Sequence, residues 1–306
     1  MILILANQMP GSIDVVMQLL YENNIPAFRF NLDAFNQYIF DWQNNEFMIR
    51  DPSGRICKSE NITGIAFYHS RMTIDQNFEN EKYYAPETAW VISWINHLHD
   101  AIIDYAKHYR LTRLWTPHSL GLSKVYQMNI AKKYFEVPGF RIFWNKELQS
   151  KKIIEKPLTA RPFSSGGCAF AQIVDQADLD SKWPWFTQNI ADGNRDATVL
   201  YINGKIHCYQ FATERGELTD WRITQGTEKN KWIPWNAGQE FEEKVNLYMK
   251  DMGLKFGRLD FIIGGKEPQF LEVNSCGQFG WLDDKNLTLH NEVVDAILDP
   301  SSTITL

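Results

Sequence analysis

A chain of 306 residues that is 44% hydrophobic and 22% charged can bury a sizeable core, and this composition excludes an intrinsically disordered protein. Its formal net charge of -6 argues against nucleic acid and against an anionic membrane surface as partners. Because single cores stop growing at roughly 250–300 residues, we expect several domains. The four scattered cysteines form no CxxC pair, and no apolar run reaches signal or membrane length, so we expect a soluble protein of the reducing cytoplasm.

The first predicted unit, residues 1–115, begins with a strand, a helix and a second strand. Its predicted elements are strands at 2–5, 27–30, 38–40, 46–49 and 64–68, a helix from Ser12 and a long amphipathic helix from Pro86. The turn at Pro10-Gly11 lacks a GxGxxG pattern, so it does not indicate a dinucleotide site. We expect a small α/β domain here.

Two further units follow, at residues 116–185 and 186–306. The predicted elements of the central unit are a helix capped by Ser119 or Ser123, strands at 140–144, 152–156 and 168–174, and a small-residue loop at 164–167. The last unit contains two strands, 197–202 and 205–211, joined by Asn203-Gly204, which is a strong hairpin signal. A helix at 240–252 ends at Gly253.

The most informative stretch is a second hairpin, formed by residues 257–263 and 269–274 around a glycine-containing loop. In an antiparallel pair, opposite residues have a constant sum of residue numbers. In that register the opposite pairs are Ile263–Gln269, Asp260–Glu272 and Arg258–Asn274. Side-chain alternation then directs one apolar set into a core, namely Leu259, Phe261, Ile263, Leu271 and Val273.

The other face of this hairpin carries Asp260, Glu272 and Asn274. Two like charges directly opposite each other destabilise a sheet by about 0.2–1 kcal/mol unless a cation lies between them. Carboxylate and amide oxygens suit Mg²⁺, which usually binds one or two carboxylates together with substrate phosphates. The alternative is a solvated sheet face on which Arg258 neutralises the two acids. The glycines of the following segment, 275–281, allow close backbone approach, and Gln278 offers polar recognition.

These motifs resemble the ATP-grasp family of carboxylate–amine ligases, whose carboxy-terminal signature is a strand ending in Asp followed by Leu-Glu-Val-Asn. Here the corresponding residues are Asp260 and Leu271-Glu272-Val273-Asn274. Together with Gly257-Arg258-Leu259-Asp260-Phe261, the segment Gly277-Gln278-Phe279-Gly280-Trp281 is similar to the peptide-modifying branch, the microviridin-type or graspetide maturases. The resemblance implies an α/β ATP-grasp fold with an amino-terminal Rossmann-like domain, a small central domain and a carboxy-terminal domain. It further implies ATP and Mg²⁺, a precursor peptide with leader and core as substrate, and a possible homodimer.

The resemblance also assigns residues around ATP. Lys124 and Lys156 match the two lysines that neutralise the triphosphate in this family. Gln188, Asn189 and Ile190 belong to the segment 186–190, which occupies the position of the adenine hinge.

The chain departs from the family pattern at two positions. It has Asn189 where relatives usually place Glu, and Thr198 where they place Arg. Arg222, in Asp220-Trp221-Arg222, matches an arginine that would neutralise the transferred phosphoryl group, and Arg71 matches a substrate-facing arginine of the first domain. These assignments predict two arginines at the reacting end.

Three functions remain open at this point. The first is a ligase that activates a peptide Asp or Glu side chain as an acyl phosphate and forms an ester or amide crosslink. The second is a ligase for a free amino acid or small peptide, which would not require a leader-bearing substrate. The third is an inactive nucleotide-binding regulator, which would bind ATP without turnover.

Overall fold

The computed structural model describes residues 1–8, 11–44, 46–70, 85–117, 123–144, 150–155, 171–180, 182, 184–215, 220–224 and 231–304. The predicted site residues Arg71 and Lys156 and the predicted loop at 164–167 lie outside these ranges. The helices are α1 (Ser12–Glu22), α2 (Ala85–His108), α3 (Lys124–Ala131), α4 (Gln239–Asp251) and α5 (Thr288–Leu298). Among these described helices, none is both long and apolar enough to cross a bilayer.

The amino-terminal part is built on a parallel sheet in the order β2-β1-β6, with β1 at Ile2–Ala6, β2 at Ala27–Asn31 and β6 at Gly64–Phe67. Every residue of β1 is buried, as expected for a parallel strand covered on both faces. The helix predicted from Ser12 is confirmed as α1, and its Ile13, Val16 and Leu20 are buried in a core that also contains residues of α5. The first helix is therefore packed against the last.

A second, antiparallel sheet extends this part in the order β3-β4-β5, with β3 at Ile39–Gln43, β4 at Glu46–Arg50 and β5 at Ile56–Lys58. Phe47 and Ile49 of β4 pack in one core with β1, β2 and α2. The strand β5 was not predicted, since three residues are too few to show an alternation of side chains.

The central part is a small antiparallel sheet in the order β7-β10-β8-β9, with β7 at Phe140–Phe143, β8 at Lys152–Glu155, β9 at Gln172–Asp175 and β10 at Trp185–Gln188. Helix α3 precedes it, and the Ser123 hydroxyl caps this helix by accepting a hydrogen bond from the Tyr126 amide at 3.3 Å. The boundary expected at 185/186 falls inside β10, whose residues pair with β7 and β8. We propose that the central domain extends to Gln188.

The largest sheet is antiparallel and has the order β13-β12-β11-β14-β15, with β11 at Gly193–Ile202, β12 at Lys205–Phe211, β13 at Trp232–Pro234, β14 at Phe256–Gly264 and β15 at Gln269–Asn274. The predicted turn between β11 and β12 is confirmed, with φ of 45° at Asn203 and 98° at Gly204, as a type I′ turn requires. Helix α4 buries Phe241, Val245 and Met249 against one face of this sheet. The opposite face carries the site.

The predicted hairpin of β14 and β15 is confirmed at its polar end. Asp260 lies opposite Glu272, and Arg258 lies opposite Asn274. The pairing of Ile263 with Gln269 is wrong.

In the structure, Ile262 pairs with Gln269 and Phe261 with Phe270. A β-bulge therefore inserts Leu271 as an extra residue, so its predicted place in the core is also wrong. Phe270 takes the core position instead, because its ring is fully buried against Phe135, Phe261 and Tyr248.

Candidate active site

A cavity of about 510 Å³ lies between the open face of the large sheet, the start of α3 and the small sheet. This volume falls within the usual range of small-molecule and cofactor pockets. Strands β14 and β15 provide one wall, Lys124 and Gln127 of α3 a second, and Ile154 of β8 with Gln188 of β10 a third. The cavity therefore lies where the large sheet, α3 and the small sheet meet.

The acidic end of the cavity contains Asp260, Glu272 and Asn274, the three side chains that the sequence predicts as Mg²⁺ ligands. The Asn274 amide nitrogen lies 3.3 Å from Asp260 Oδ2 and 3.3 Å from Glu272 Oε1, so the three side chains converge. Within the described residues, no group of three or more His, Cys, Asp or Glu side chains is arranged to hold a metal ion. The two carboxylates nevertheless suit Mg²⁺, and Asn274, whose amide nitrogen faces them, would supply its oxygen after rotation of the amide by half a turn.

Each acid of this pair contacts a cationic side chain. Lys124 Nζ is hydrogen-bonded to the Glu272 carboxylate, and Arg258 Nη2 donates to Asp260 Oδ2 at 3.1 Å. The Thr198 hydroxyl donates to the other oxygen of Asp260 at 2.9 Å. The like charges that face each other across the hairpin are therefore balanced by cations from α3 and β14.

Arg222 lies on the cavity wall together with Asp220. The Arg222 backbone amide and its Nε donate to Asp220 Oδ1 at 3.0 and 2.8 Å. Burial raises the pKa of Asp220, but the hydrogen bonds and charge of Arg222 outweigh this effect and hold the pKa below its usual value. Arg222 and Asp220 therefore form an ion pair, and this pair holds the guanidinium in the cavity wall.

The end of the cavity near the small sheet is more apolar. Ile154, Ile262 and Leu271 line it, and the β-bulge is what turns Leu271 toward this space. Flat apolar ligands such as a purine ring suit aliphatic walls of this kind.

The predicted hinge residues are only partly brought together. Gln188 and Asn189 line the cavity, whereas the Ile190 side chain is 48% exposed and does not. The Asn189 amide donates to the Gly139 carbonyl at 2.7 Å, and the Asn189 side-chain oxygen accepts from Lys151 at 3.0 Å. Asn189 is thus tied into the small sheet.

Two charged residues of the cavity wall, Asp196 and Arg215, were not predicted as part of the site, and Arg258 was predicted only as a cation that neutralises Asp260 and Glu272. Arg215 Nε lies 3.3 Å from Asp196 Oδ2, and both residues line the cavity together with Arg258. Thr198, which stands at the position of an expected arginine, is fully buried. The contact of Arg258 with Asp260 was predictable, because Arg258 lies two residues before Asp260 and so shares its face. Arg215 follows β12 and belongs to no recognisable motif.

The segment after β15 connects the cavity to the first helix. The Gln278 backbone carbonyl accepts from Arg258 Nη1 at 3.1 Å, and the Gln278 side-chain oxygen accepts from the Ser12 hydroxyl at 3.2 Å. A Cβ atom at Gly11 would lie 2.9 Å from Gln278 Oε1, so this approach favours glycine at position 11. Polar contacts therefore extend from α1 to Asp260.

No protein-family model and no curated protein sequence matches the chain. Many solved structures do. A ribosomal-peptide-associated ATP-grasp ligase of Chryseobacterium gregarium, in complex with ADP and a leader and core peptide, superposes with a TM-score of 0.79 at 18% identity, over 97% of this chain and 96% of that one. The chain has the ATP-grasp fold. The expected α/β ATP-grasp architecture is therefore confirmed.

Two further structures show how widely this fold is shared. The macrocyclase MdnC of Microcystis aeruginosa, bound to its precursor peptide MdnA, has a TM-score of 0.77 at 17% identity, over 97% of this chain and 98% of that one. A D-alanine–D-alanine ligase of Bacillus anthracis with ATP has a TM-score of 0.52 at 11% identity, over 98% and 96% of the two chains. In fold, this chain is similar to both peptide-bound ligases over 97% of its length.

Proposed function

We propose that the protein is an ATP-dependent ligase that activates an Asp or Glu side chain of a ribosomally made precursor peptide and forms a macrocyclic ester or amide crosslink. The observation that supports this most strongly is the cavity itself, in which Asp260, Glu272 and Asn274 converge beside Lys124 and Arg258. The ATP-grasp fold around it is similar to ligases crystallised with ADP and with precursor peptides.

ATP would lie along the cavity with its purine at the apolar end. Ile154, Ile262 and Leu271 would contact the two faces of the ring, and Gln188 would contact its edge. The triphosphate would extend toward Lys124. Lys156, outside the described residues, remains proposed as the second phosphate-binding lysine, because a mobile ammonium group suits phosphate.

Asp260, Glu272 and Asn274 would hold Mg²⁺ through their side-chain oxygens. When bound, Mg²⁺ neutralises the phosphate charge that develops during transfer. Lys124 contacts Glu272 and would therefore lie next to the same phosphates. A lysine and a metal would then lie on one side of the transferred group.

The reaction has two steps. An oxygen of the substrate carboxylate forms a bond to the γ-phosphorus while the bond to the β-phosphate bridging oxygen breaks, which gives an acyl phosphate and ADP. An amine or hydroxyl of the same peptide then attacks the acyl carbon, loses its proton and displaces phosphate. Arg222 and Arg258 would hold the carboxylate and the leaving phosphate, and Arg71, outside the described residues, would face the peptide. Fixed cations of this kind stabilise developing charge without reorganisation.

A peptide substrate is better supported than a free amino acid. The two peptide-bound ligases superpose with TM-scores of 0.79 and 0.77, whereas the D-alanine–D-alanine ligase reaches 0.52. An inactive regulator is disfavoured because Arg215 and Arg258 bring cations into the cavity that Thr198 does not supply. A homodimer remains a prediction.

Mass spectrometry tests the proposal. The purified protein would be incubated with ATP, Mg²⁺ and a short peptide encoded beside its gene. We expect the loss of one water per crosslink, dependent on ATP. An unchanged peptide mass in the presence of ADP formation would contradict peptide crosslinking.

A further inference from the structure

Three tryptophans from separate segments form one cluster beside the cavity. Trp221 belongs to a helical turn, Trp232 to β13 and Trp281 to the turn after β15. The ring centroids of Trp221 and Trp281 are 5.0 Å apart, and the ring centroid of Trp232 lies 5.1 Å from each of them. We call these three residues the tryptophan cluster.

The cluster extends from the cavity to the surface. Trp221 lines the cavity between Asp220 and Arg222. Trp281 is 37% exposed, whereas Trp115, which belongs to the core shared by α1 and α5, is fully buried. The cluster therefore has the cavity on one side and solvent on the other, and its indole rings meet in tilted and edge-on contacts.

The cluster also contacts the cation that faces the candidate metal ligands. The Arg258 guanidinium carbon lies 5.7 Å from the Trp281 ring centroid, in a cation–π arrangement. The same guanidinium donates to Asp260 and to the Gln278 carbonyl. The tryptophan cluster thus adjoins the part of the cavity where the substrate carboxylate would react.

We propose that the tryptophan cluster is the water-excluding wall of the acyl-phosphate subsite, and this proposal rests on the proposed function. The acyl carbon of an acyl phosphate can be attacked by the acceptor amine or hydroxyl, or by water. In either case the carbon–oxygen bond to phosphate breaks, phosphate leaves with the electron pair, and the attacking group loses a proton. Attack by water regenerates the carboxylate, so ATP is consumed without a crosslink.

The proposal is tested by measuring how much of the acyl phosphate is consumed by crosslinking and how much by hydrolysis. We would measure the ADP formed per crosslink in water labelled with heavy oxygen. The proteins compared are the wild type, Trp221→Ala, Trp221→Phe and Trp281→Ala. Attack of water on the acyl carbon places the label in the recovered peptide carboxylate, whereas direct hydrolysis of ATP places it only in phosphate. Trp90→Ala is the matched control, because Trp90 is 64% exposed on α2.

We expect Trp221→Ala and Trp281→Ala to raise the ratio of ADP to crosslink several-fold and to label the peptide carboxylate. Trp221→Phe should lie between them and the wild type, and the control should match the wild type. An unchanged ratio of ADP to crosslink, or label in phosphate alone, would show that the tryptophan cluster does not exclude water from the acyl phosphate. Either result would leave the proposed ligase function intact. A wild type that forms no crosslink at all would instead overturn the proposed function, and the wall with it.

Discussion

Replacing Leu271 by alanine distinguishes the bulged hairpin of the structure from the regular hairpin that the sequence predicts. In a regular hairpin Leu271 would belong to the core, and its truncation would reduce the free energy of unfolding by about 2–5 kcal/mol. In the structure, Leu271 is half-buried and lines the cavity next to Ile262. We therefore expect a loss of about 1 kcal/mol or less in stability, as for sites away from the core.

The same substitution should weaken nucleotide binding. Leucine to alanine removes the equivalent of about three methylene groups, each contributing about 0.8 kcal/mol when buried, so the upper limit is about 2.4 kcal/mol. Because Leu271 is already partly buried without ligand, about half of this should be lost. A loss of about 1.2 kcal/mol corresponds to a Kd for ADP that is roughly five- to tenfold higher.

Urea denaturation and calorimetric titration with ADP measure the two quantities. Leu247→Ala is the surface control, because Leu247 is 50% exposed on α4, and Phe270→Ala is the core control. Phe270→Ala should lose about 3–5 kcal/mol of stability. If Leu271→Ala loses as much stability as a core truncation and binds ADP like the wild type, the bulge and the purine position are both wrong.

Three further predictions concern charge and titration. Arg258→Gln should lower kcat by about 100-fold or more while changing the Kd for ADP little, since a fixed donor acts mainly in the transition state; an unchanged kcat would contradict this. The Asp220 pKa is lowered in the folded state, so its stabilising contribution is complete above the unfolded pKa and is lost as the pH falls through the folded pKa. The difference in Tm between wild type and Asp220→Asn should therefore shrink as the pH falls below about 4, and a constant difference would refute the ion pair. Burial raises the pKa of the Cys276 thiol to about 11, so Cys276→Ala should retain turnover, and its loss in a folded variant would point to a nucleophilic cysteine.

The polar face of the β14–β15 hairpin was predictable because strand alternation and constant-sum pairing depend only on residue numbers. Those rules placed Asp260 opposite Glu272 correctly. They failed at Leu271, because a bulge arises from competition between neighbouring side chains for one core position. Phe270 wins that competition through contacts with rings from α4 and from the segment after α3, which no local pattern reveals.

Long-range contacts explain the other differences. Ser123 was recognisable as a cap and places Lys124 at the start of α3. The backbone amide of Asn189, in contrast, is occupied by Gly139, and this depends on the pairing of β10 with β7. Arg215, which follows β12, reaches the cavity through its ion pair with Asp196 of β11. Neither contact leaves a signal in the sequence near the residue concerned.

In the proposed mechanism, Glu272 belongs to a metal site that serves peptide crosslinking. The most direct measurement compares Glu272→Gln with Glu267→Gln, an exposed glutamate in the loop of the same hairpin, by mass spectrometry of the peptide after incubation with ATP and Mg²⁺. Both variants should keep a Tm close to that of the wild type. We predict that Glu267→Gln removes one water per crosslink like the wild type and that Glu272→Gln forms no crosslink. Crosslinking by Glu272→Gln at the wild-type rate would contradict the assignment of the site.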